Sequence, residues 1–193
     1  MEQPRQQIFL VRHGATEWSR TGRHTGRTNV PLTENGKRNA EIIGRALRGK
    51  QLAAWTSPLD RARETCWLAG FPDAEVDNDL REWDYGIYEG RTTLEIRRDV
   101  PDWSVWLSPI VNGESLDEVA DRARHVIRSV TDATHADIIL FAHGHILRIL
   151  AACWIGLPPL TGRFLALDTA SISTLGYERQ TRVIRNWNVA PQA

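Results

Sequence analysis

The chain has 193 residues, of which 41% are hydrophobic and 25% are charged, a composition typical of a folded globular protein and unlike that of a disordered chain. Its 24 lysine and arginine residues balance 24 aspartate and glutamate residues, so no net charge attracts the molecule to nucleic acid or to an anionic membrane. The length and the polar first residues, which lack the apolar core of a signal peptide, predict one domain over residues 1–193 and a cytoplasmic protein.

The first third of the sequence alternates short apolar runs with amphipathic segments. One apolar run ends in Arg12, His13 and Gly14, as in a buried strand that delivers polar residues to its carboxyl end. Thr33 before Glu34 predicts a helix start, because threonine caps helices and an acidic first turn stabilises them. The pattern predicts a strand at 8–11, a loop at 19–31, a helix from about 34 to 48, a strand at 52–56 and a helix at about 59–69.

The remaining sequence continues this alternation around residues 80–90, which are crowded with Glu, Trp, Asp, Tyr and Gly and indicate a functional loop. The pattern predicts a short strand at 74–76, helices at 92–98 and 115–130, a strand at 137–142, a helix at about 146–154 and strands at 171–177 and 181–187. Such alternation predicts an α/β fold, here a three-layer α/β/α sandwich with a mainly parallel sheet. Ligands bind such sheets beyond the carboxyl ends of the strands.

Several polar residues are expected at that edge, and together they suit the cleavage of a phosphate ester. This reaction needs a nucleophile, cations for the phosphoryl oxygens and an acid for the departing alcohol. Arg12 and His13 follow the first strand, Arg61 begins a helix, Glu82 lies in the predicted loop and His143 follows a later strand.

Four blocks in order carry a resemblance to a known family. They are residues 10–18 (LVRHGATEW), residues 25–26 (TG) with 31–36 (PLTENG), residues 57–65 (SPLDRARET) and residues 141–145 (FAHGH). On these motifs the chain resembles the histidine phosphatase superfamily, also called phosphoglycerate mutase-like, over nearly its whole length. The resemblance implies a hydrolase that needs no metal or cofactor and acts on a small phosphorylated molecule.

The resemblance also implies a role for each matching residue. His13 is expected to accept the phosphoryl group, forming a phosphohistidine, with His143 as its partner across the phosphate. Arg12 and Arg61 are expected to bind the phosphoryl oxygens, since guanidinium groups donate in a forked geometry and stay charged. Glu82 is the candidate general acid.

That role requires a protonated Glu82 carboxyl, which burial among Trp83, Tyr85 and Tyr88 would favour. Arg63, by contrast, is not expected to be catalytic.

Two longer motifs, residues 80–90 and 142–148, resemble a branch that includes bacterial acid phosphatases and fungal sedoheptulose bisphosphatase. This branch implies phosphate monoesters of metabolites as substrates, including sugar phosphates or bisphosphates. Arg148 is then either the binding site of a second phosphate or an ordinary surface cation. The expected substrate contacts are Ser19, Thr25, Gly26, Tyr85, Gly144, Arg148 and Thr169.

Three alternatives remain open from the sequence. A phosphoglycerate mutase uses the same site, but Glu82 and His143 are only 61 positions apart, closer than in the mutases. Ser19 and His145 also depart from the mutase pattern. An inactive module that binds phospholigands would have no reason to retain both a nucleophile and an acid. A metal site would have to combine His24 with other histidines, at spacings that match no zinc motif. A monomer and a homodimer are equally compatible with the sequence.

Overall fold

A computed structural model describes residues 5–192, and its centre is a six-stranded sheet. The strands are Ile8–Arg12 (β1), Leu52–Thr56 (β2), Glu75–Val76 (β3), Asp137–Ala142 (β4), Ile172–Glu178 (β5) and Thr181–Val189 (β6). Their spatial order is β3-β2-β4-β1-β5-β6, in which the first four strands run parallel. Only β5 runs against its neighbours β1 and β6, so the prediction of a mainly parallel sheet is confirmed.

Six α-helices accompany the sheet in the described part of the chain. They are Glu17–Thr21 (α1), Glu34–Ala46 (α2), Asp60–Leu68 (α3), Thr93–Asp99 (α4), Leu116–Ala133 (α5) and Gly144–Trp154 (α6), with short 3-10 helices at Asn78–Leu80, Gly86–Tyr88 and Pro159–Phe164. No helix within residues 5–192 is both long enough and apolar enough to cross a membrane.

Alternating side chains of β1 divide the core into two halves. Phe9 and Val11 pack with residues of α2 and α3 on one face of the sheet. Ile8 and Leu10 pack on the other face with residues of α5 and α6. Because successive side chains of a strand point to opposite faces, one strand serves both layers, and the predicted three-layer sandwich is confirmed.

Helix α1 was not predicted, because residues 19–31 read as a loop. None of its five residues is buried, so it has no apolar stripe from which a helix could be recognised. It is held by a capping box, in which Thr16 and Ser19 each bond the other's backbone N–H.

The topology brings the ends of two strands together at one edge. Strands β1 and β4 are adjacent and parallel, with Arg12 opposite Ala142. The backbone N–H of His13 continues the ladder by donating to the carbonyl of Ala142 at 3.0 Å. His13 and His143 therefore leave the sheet side by side.

Candidate active site

The five residues expected to carry the chemistry converge at this edge. The rings of His13 and His143 have their centroids 5.1 Å apart. Arg61, at the start of α3, reaches His143 with its Nε at 3.1 Å from Nδ1. Arg12 and Glu82 meet at Gly144, since a Cβ there would lie 3.4 Å from Arg12 Nε and 3.6 Å from Glu82 Oε2.

His13 is held in one tautomer. Its Nδ1 donates a hydrogen bond to the carbonyl of Gly14 at 2.7 Å, so the neutral ring has its lone pair on Nε2. Burial, followed by the charges of Arg61 and Arg12, lowers the pKa of His13 well below 6.5. The ring is therefore neutral near pH 7 and has the free nitrogen that a nucleophile needs.

Arg61 is fully buried and is fixed mainly by main-chain carbonyls. Its terminal nitrogens donate to the carbonyls of Thr25, Gly26 and Thr28 at 2.9–3.0 Å, and its Nε donates to His143. The guanidinium is thus held in place by the loop that follows α1.

Arg12 lies across the site from Arg61. Its Nη1 donates to the carbonyl of Leu167 at 2.5 Å. Its Nε is buried, and no group within residues 5–192 accepts a hydrogen bond from it. A buried cationic donor without an acceptor is costly, so this atom indicates a position where an anion binds.

His143 is also neutral, because burial, followed by the charge of Arg61, lowers its pKa well below 6.5. Its Nδ1 accepts a hydrogen bond from Arg61, which can only donate, and its single proton is therefore on Nε2. That proton is donated to the Ser57 hydroxyl at 2.7 Å. Ser57 was not predicted as a site residue, although it opens the third family block.

Glu82 is buried, but aromatic rings are not its only surroundings. Its Oε1 accepts hydrogen bonds from the N–H groups of Trp83 and Ile146, and its Oε2 accepts one from His145, all at 3.0 Å. Two of these donors belong to the first turn of α6, whose N-terminus attracts negative charge. Glu82 therefore caps α6, and it also lines the pocket that opens in front of His13.

A pocket of about 180 Å³ opens in front of this site. Five of the predicted substrate contacts line it: Ser19, Thr25, Tyr85, Gly144 and Arg148. Five further lining residues were not predicted as substrate contacts: Gly22, Arg23, His24, His145 and Leu167. Three of them, Gly22, Arg23 and His24, lie in the segment that was predicted as a loop at 19–31.

Four of the predicted site residues are not in the lining of this pocket: Gly26, Arg61, His143 and Thr169. The N–H of Gly26 donates to the Glu89 carboxylate and its carbonyl accepts from Arg61, so Gly26 supports the arginine from behind. On the far side the pocket is lined by Leu167, two positions before Thr169.

The outer wall of the pocket carries two neutral imidazoles. Burial lowers the pKa of His24 to about 4 and that of His145 well below 6.5. The Tyr85 hydroxyl shares a 2.6 Å hydrogen bond with His145 Nδ1, so its polar group is engaged within the wall. Between residues 5 and 192, no three His, Cys, Asp or Glu side chains are arranged as a metal site.

Arg148 lies at the mouth of the pocket and is half-buried. Its Nε and Nη2 donate to the carbonyls of Gly162 and Arg163 at 3.0 Å, and its guanidinium stacks over Trp106 at 4.7 Å. This arrangement holds the guanidinium in place, unlike the free surface cation that was the alternative.

Comparison with known proteins agrees with this geometry. The family model described as histidine phosphatase superfamily (branch 1) matches residues 8–190. An acid phosphatase of Mycobacterium tuberculosis is 41% identical over 179 residues, covering 91% of this chain and 88% of that protein. The sedoheptulose 1,7-bisphosphatase of Saccharomyces cerevisiae is 36% identical over 183 residues, covering 77% of this chain and 67% of that protein.

The relatives also include proteins named probable phosphoglycerate mutases. Among solved structures, that of the open reading frame Rv3214 from Mycobacterium tuberculosis superposes with a TM-score of 0.92 at 38% identity, covering 97% of this chain and 99% of the other. The chain therefore belongs to the histidine phosphatase superfamily, close to its acid phosphatase and sedoheptulose bisphosphatase branches.

Proposed function

We propose that this protein hydrolyses phosphate monoesters of small metabolites, through a phosphohistidine on His13 and without a metal ion. The observation that carries the proposal is the buried Arg12 Nε, which has no acceptor among the described residues and lies beside the unprotonated His13. A phosphoryl oxygen supplies the missing acceptor, and the neutral imidazole supplies the nucleophile.

The first half-reaction forms the phosphoenzyme. His13 Nε2 attacks phosphorus and the bond to the ester oxygen breaks, while Glu82 passes to the leaving alcohol a proton that it has taken from the substrate monoanion. Arg12 and Arg61 neutralise the charge that develops on the phosphoryl oxygens. In the second half-reaction, water gives a proton to Glu82 as it attacks phosphorus, and free phosphate leaves His13.

His143 is proposed to assist through the proton on its Nε2. In this structure that proton is donated to the Ser57 hydroxyl, while Nδ1 accepts a hydrogen bond from Arg61. A phosphoryl oxygen would take the place of the Ser57 hydroxyl as the acceptor of this proton.

The experiment that tests the proposal uses p-nitrophenyl phosphate with and without EDTA. We expect turnover that survives EDTA, a loss of at least about 1000-fold in His13→Ala, and phosphate on histidine in acid-labile form after rapid quenching. Loss of activity in EDTA would reinstate a metal site. A wild-type protein that binds phosphate but turns over no ester would instead be a binding module.

A mutase is the second candidate, since relatives named probable phosphoglycerate mutases match the chain. The test supplies 3-phosphoglycerate and measures 2-phosphoglycerate against inorganic phosphate. We expect phosphate to be the main product. One side of the pocket is lined by Ser19 of α1 and by the segment 22–25 that follows, which lies at the surface, so water can reach the phosphoenzyme from there. Predominant formation of 2-phosphoglycerate would establish the mutase.

Arg148 is proposed to bind the second phosphate of a bisphosphate, since it lines the pocket and is held by two carbonyls. Arg148→Ala should raise the KM for sedoheptulose 1,7-bisphosphate by about 10-fold or more, the value of a hydrogen bond to a charged group, and leave the KM for p-nitrophenyl phosphate within about 2-fold. Equal changes for both substrates would reject this role.

A further inference from the structure

Arg122, in the second turn of α5, makes four hydrogen bonds although it lies outside the catalytic pocket. Its Nε and Nη2 form a bidentate pair with the two carboxylate oxygens of Glu114, each at 2.8 Å. Its Nη1 donates to the carbonyls of Asp79 and Arg81, at 2.6 and 3.0 Å. Arg81 is the residue directly before Glu82, so Arg122 holds the chain that leads into the candidate general acid.

Glu114 holds the chain on the other side of Glu82. Its Oε2 accepts a hydrogen bond from the N–H of Asp84 at 2.9 Å, and its own N–H donates to the carbonyl of Asp84 at 3.0 Å. Its carbonyl accepts from the indole Nε1 of Trp83 at 2.7 Å. The two residues that follow Glu82 are therefore bonded to Glu114.

We propose that Arg122 and Glu114 form a brace that positions the Glu82 carboxyl group for proton transfer to the leaving alcohol. Both are positioning residues, because their side chains bond to each other and to the chain on either side of Glu82, and they act on the reaction only through Glu82. The inference rests on the proposed function of Glu82 as the general acid.

The brace has the properties that precise positioning requires. The side chains of Arg122 and Glu114 are only 13% and 22% exposed, so their bidentate pair is little screened by solvent. It joins a regular helix to the loop around Glu82, whereas the oxygens of Glu82 itself bond to α6. The acid is thus fixed both through the chain on either side of it and through its own carboxylate oxygens. A shift of about 1 Å in such a group can cost about 100-fold in rate.

The test compares kcat/KM for two substrates that differ in their need for an acid. Departure of p-nitrophenolate requires little protonation, whereas an alkyl phosphate such as glycerol 2-phosphate depends on it. The ratio of the two kcat/KM values reports only the steps through loss of the alcohol. Because the same enzyme sample enters both measurements, partial unfolding of a variant cancels from the ratio.

The variants are Arg122→Met and Glu114→Gln, with Glu82→Gln as the reference for loss of the acid. Glu114→Gln is the milder change, since it weakens the pair but keeps the charge of Arg122, which contributes to the lowered pKa of His143. Arg124→Met is the matched control, because Arg124 is on the same helix and its 2.8 Å pair with Asp121 is exposed.

We expect Glu82→Gln to lower kcat/KM for the alkyl ester by about 100-fold more than for p-nitrophenyl phosphate. Arg122→Met and Glu114→Gln should show the same selective loss at about 10-fold, and Arg124→Met should leave the ratio within about 2-fold. Equal losses for both substrates in the brace variants, beside a selective loss in Glu82→Gln, would overturn the brace and leave the acid intact. An unselective effect of Glu82→Gln would overturn the acid, and the brace with it.

Discussion

At the scale of single residues, Gly144 leaves the space through which Arg12 reaches a ligand. A Cβ at Gly144 would lie 3.4 Å from both Nε and Cζ of Arg12, an ordinary contact that needs no rearrangement. It would, however, cover the buried Nε of Arg12, which has no acceptor among residues 5–192. A methyl group added at Gly144 should therefore weaken phosphate binding without destabilising the fold.

Gly144→Ala is expected to weaken competitive inhibition by inorganic phosphate by about 10-fold, because a charge-assisted hydrogen bond is lost. The same change should raise the free energy of unfolding by about 0.4–1 kcal/mol, since alanine is the better residue in the first turn of α6. Inhibition assays and urea unfolding measure the two quantities on one sample. Weaker inhibition together with lower stability would indicate a distorted helix and contradict the argument.

The proposed catalytic residues could be singled out in the sequence because each is near the end of an element and within a recognisable motif. Gly26 and Thr169 were expected in the pocket on the same kind of resemblance, but their placement depends on distant partners. The hydrogen bonds between Gly26 and Glu89 join residues 63 positions apart, and no local pattern records them. Main-chain contacts of this kind determine which face of a loop meets the substrate.

At the scale of elements, helix α2 packs directly against the loop that carries the nucleophile. A Cβ on Gly36 would lie 2.3 Å from the carbonyl of Ala15, and a Cβ on Gly14 would lie 2.5 Å from the carbonyl of Gly36. Both contacts are between backbones, so neither can be relieved by a side-chain rotation. This close approach fixes the position of Gly14. The carbonyl of Gly14 accepts the hydrogen bond from His13 Nδ1 and so determines the tautomer of His13.

Gly36→Ala is therefore expected to lower the free energy of unfolding by about 1–3 kcal/mol, the usual cost of overpacking, although alanine is the better helix former. Turnover should fall as well, because the nucleophile loop must shift. Arg38→Ala, an exposed substitution on the same helix, is the control and should change stability by less than about 0.5 kcal/mol. A stabilised Gly36→Ala variant would show that the two backbones separate freely.

The elements with a buried face could be predicted from sequence periodicity, and α1 could not. Strand β4 has five buried residues among its six, and α5 buries residues at helical spacing, so both have strong signals. Helix α1 buries none, and its capping box has serine where the usual motif has glutamate or glutamine. The residues that line the pocket on the α1 side were therefore the hardest part of the site to predict from the sequence.

At the scale of the whole molecule, two buried histidines, His13 and His143, and two half-buried ones, His24 and His145, connect the site to global stability. Burial lowers the pKa of His13, His24, His143 and His145 below the value of about 6.5 expected in the unfolded chain. As the pH falls through 6.5, the unfolded chain binds protons that the folded protein does not. Stability is therefore present above this pH and is lost towards the folded pKa, which for His24 is about 4.

As the pH falls below 6.5, the free energy of unfolding should fall, with a slope that approaches about 1.4 kcal/mol per pH unit for each of these histidines that stays neutral in the folded protein. Urea unfolding at half-unit intervals measures the slope, and His24→Gln should reduce it by the contribution of one proton. A free energy that stays constant over this range would mean that these rings take up protons in the folded protein.

Strand β1 begins the sheet in sequence but lies within it in space, between β4 and β5. During synthesis on a ribosome, His13 leaves the exit tunnel long before β4 and β5, the two strands that flank β1, have been made. The centre of the sheet therefore cannot form until these two strands are available, and such long-range pairing is slow. A nascent chain that stops before β4 contains His13 but lacks His143, so the proposed phosphoryl-transfer site cannot assemble at that stage.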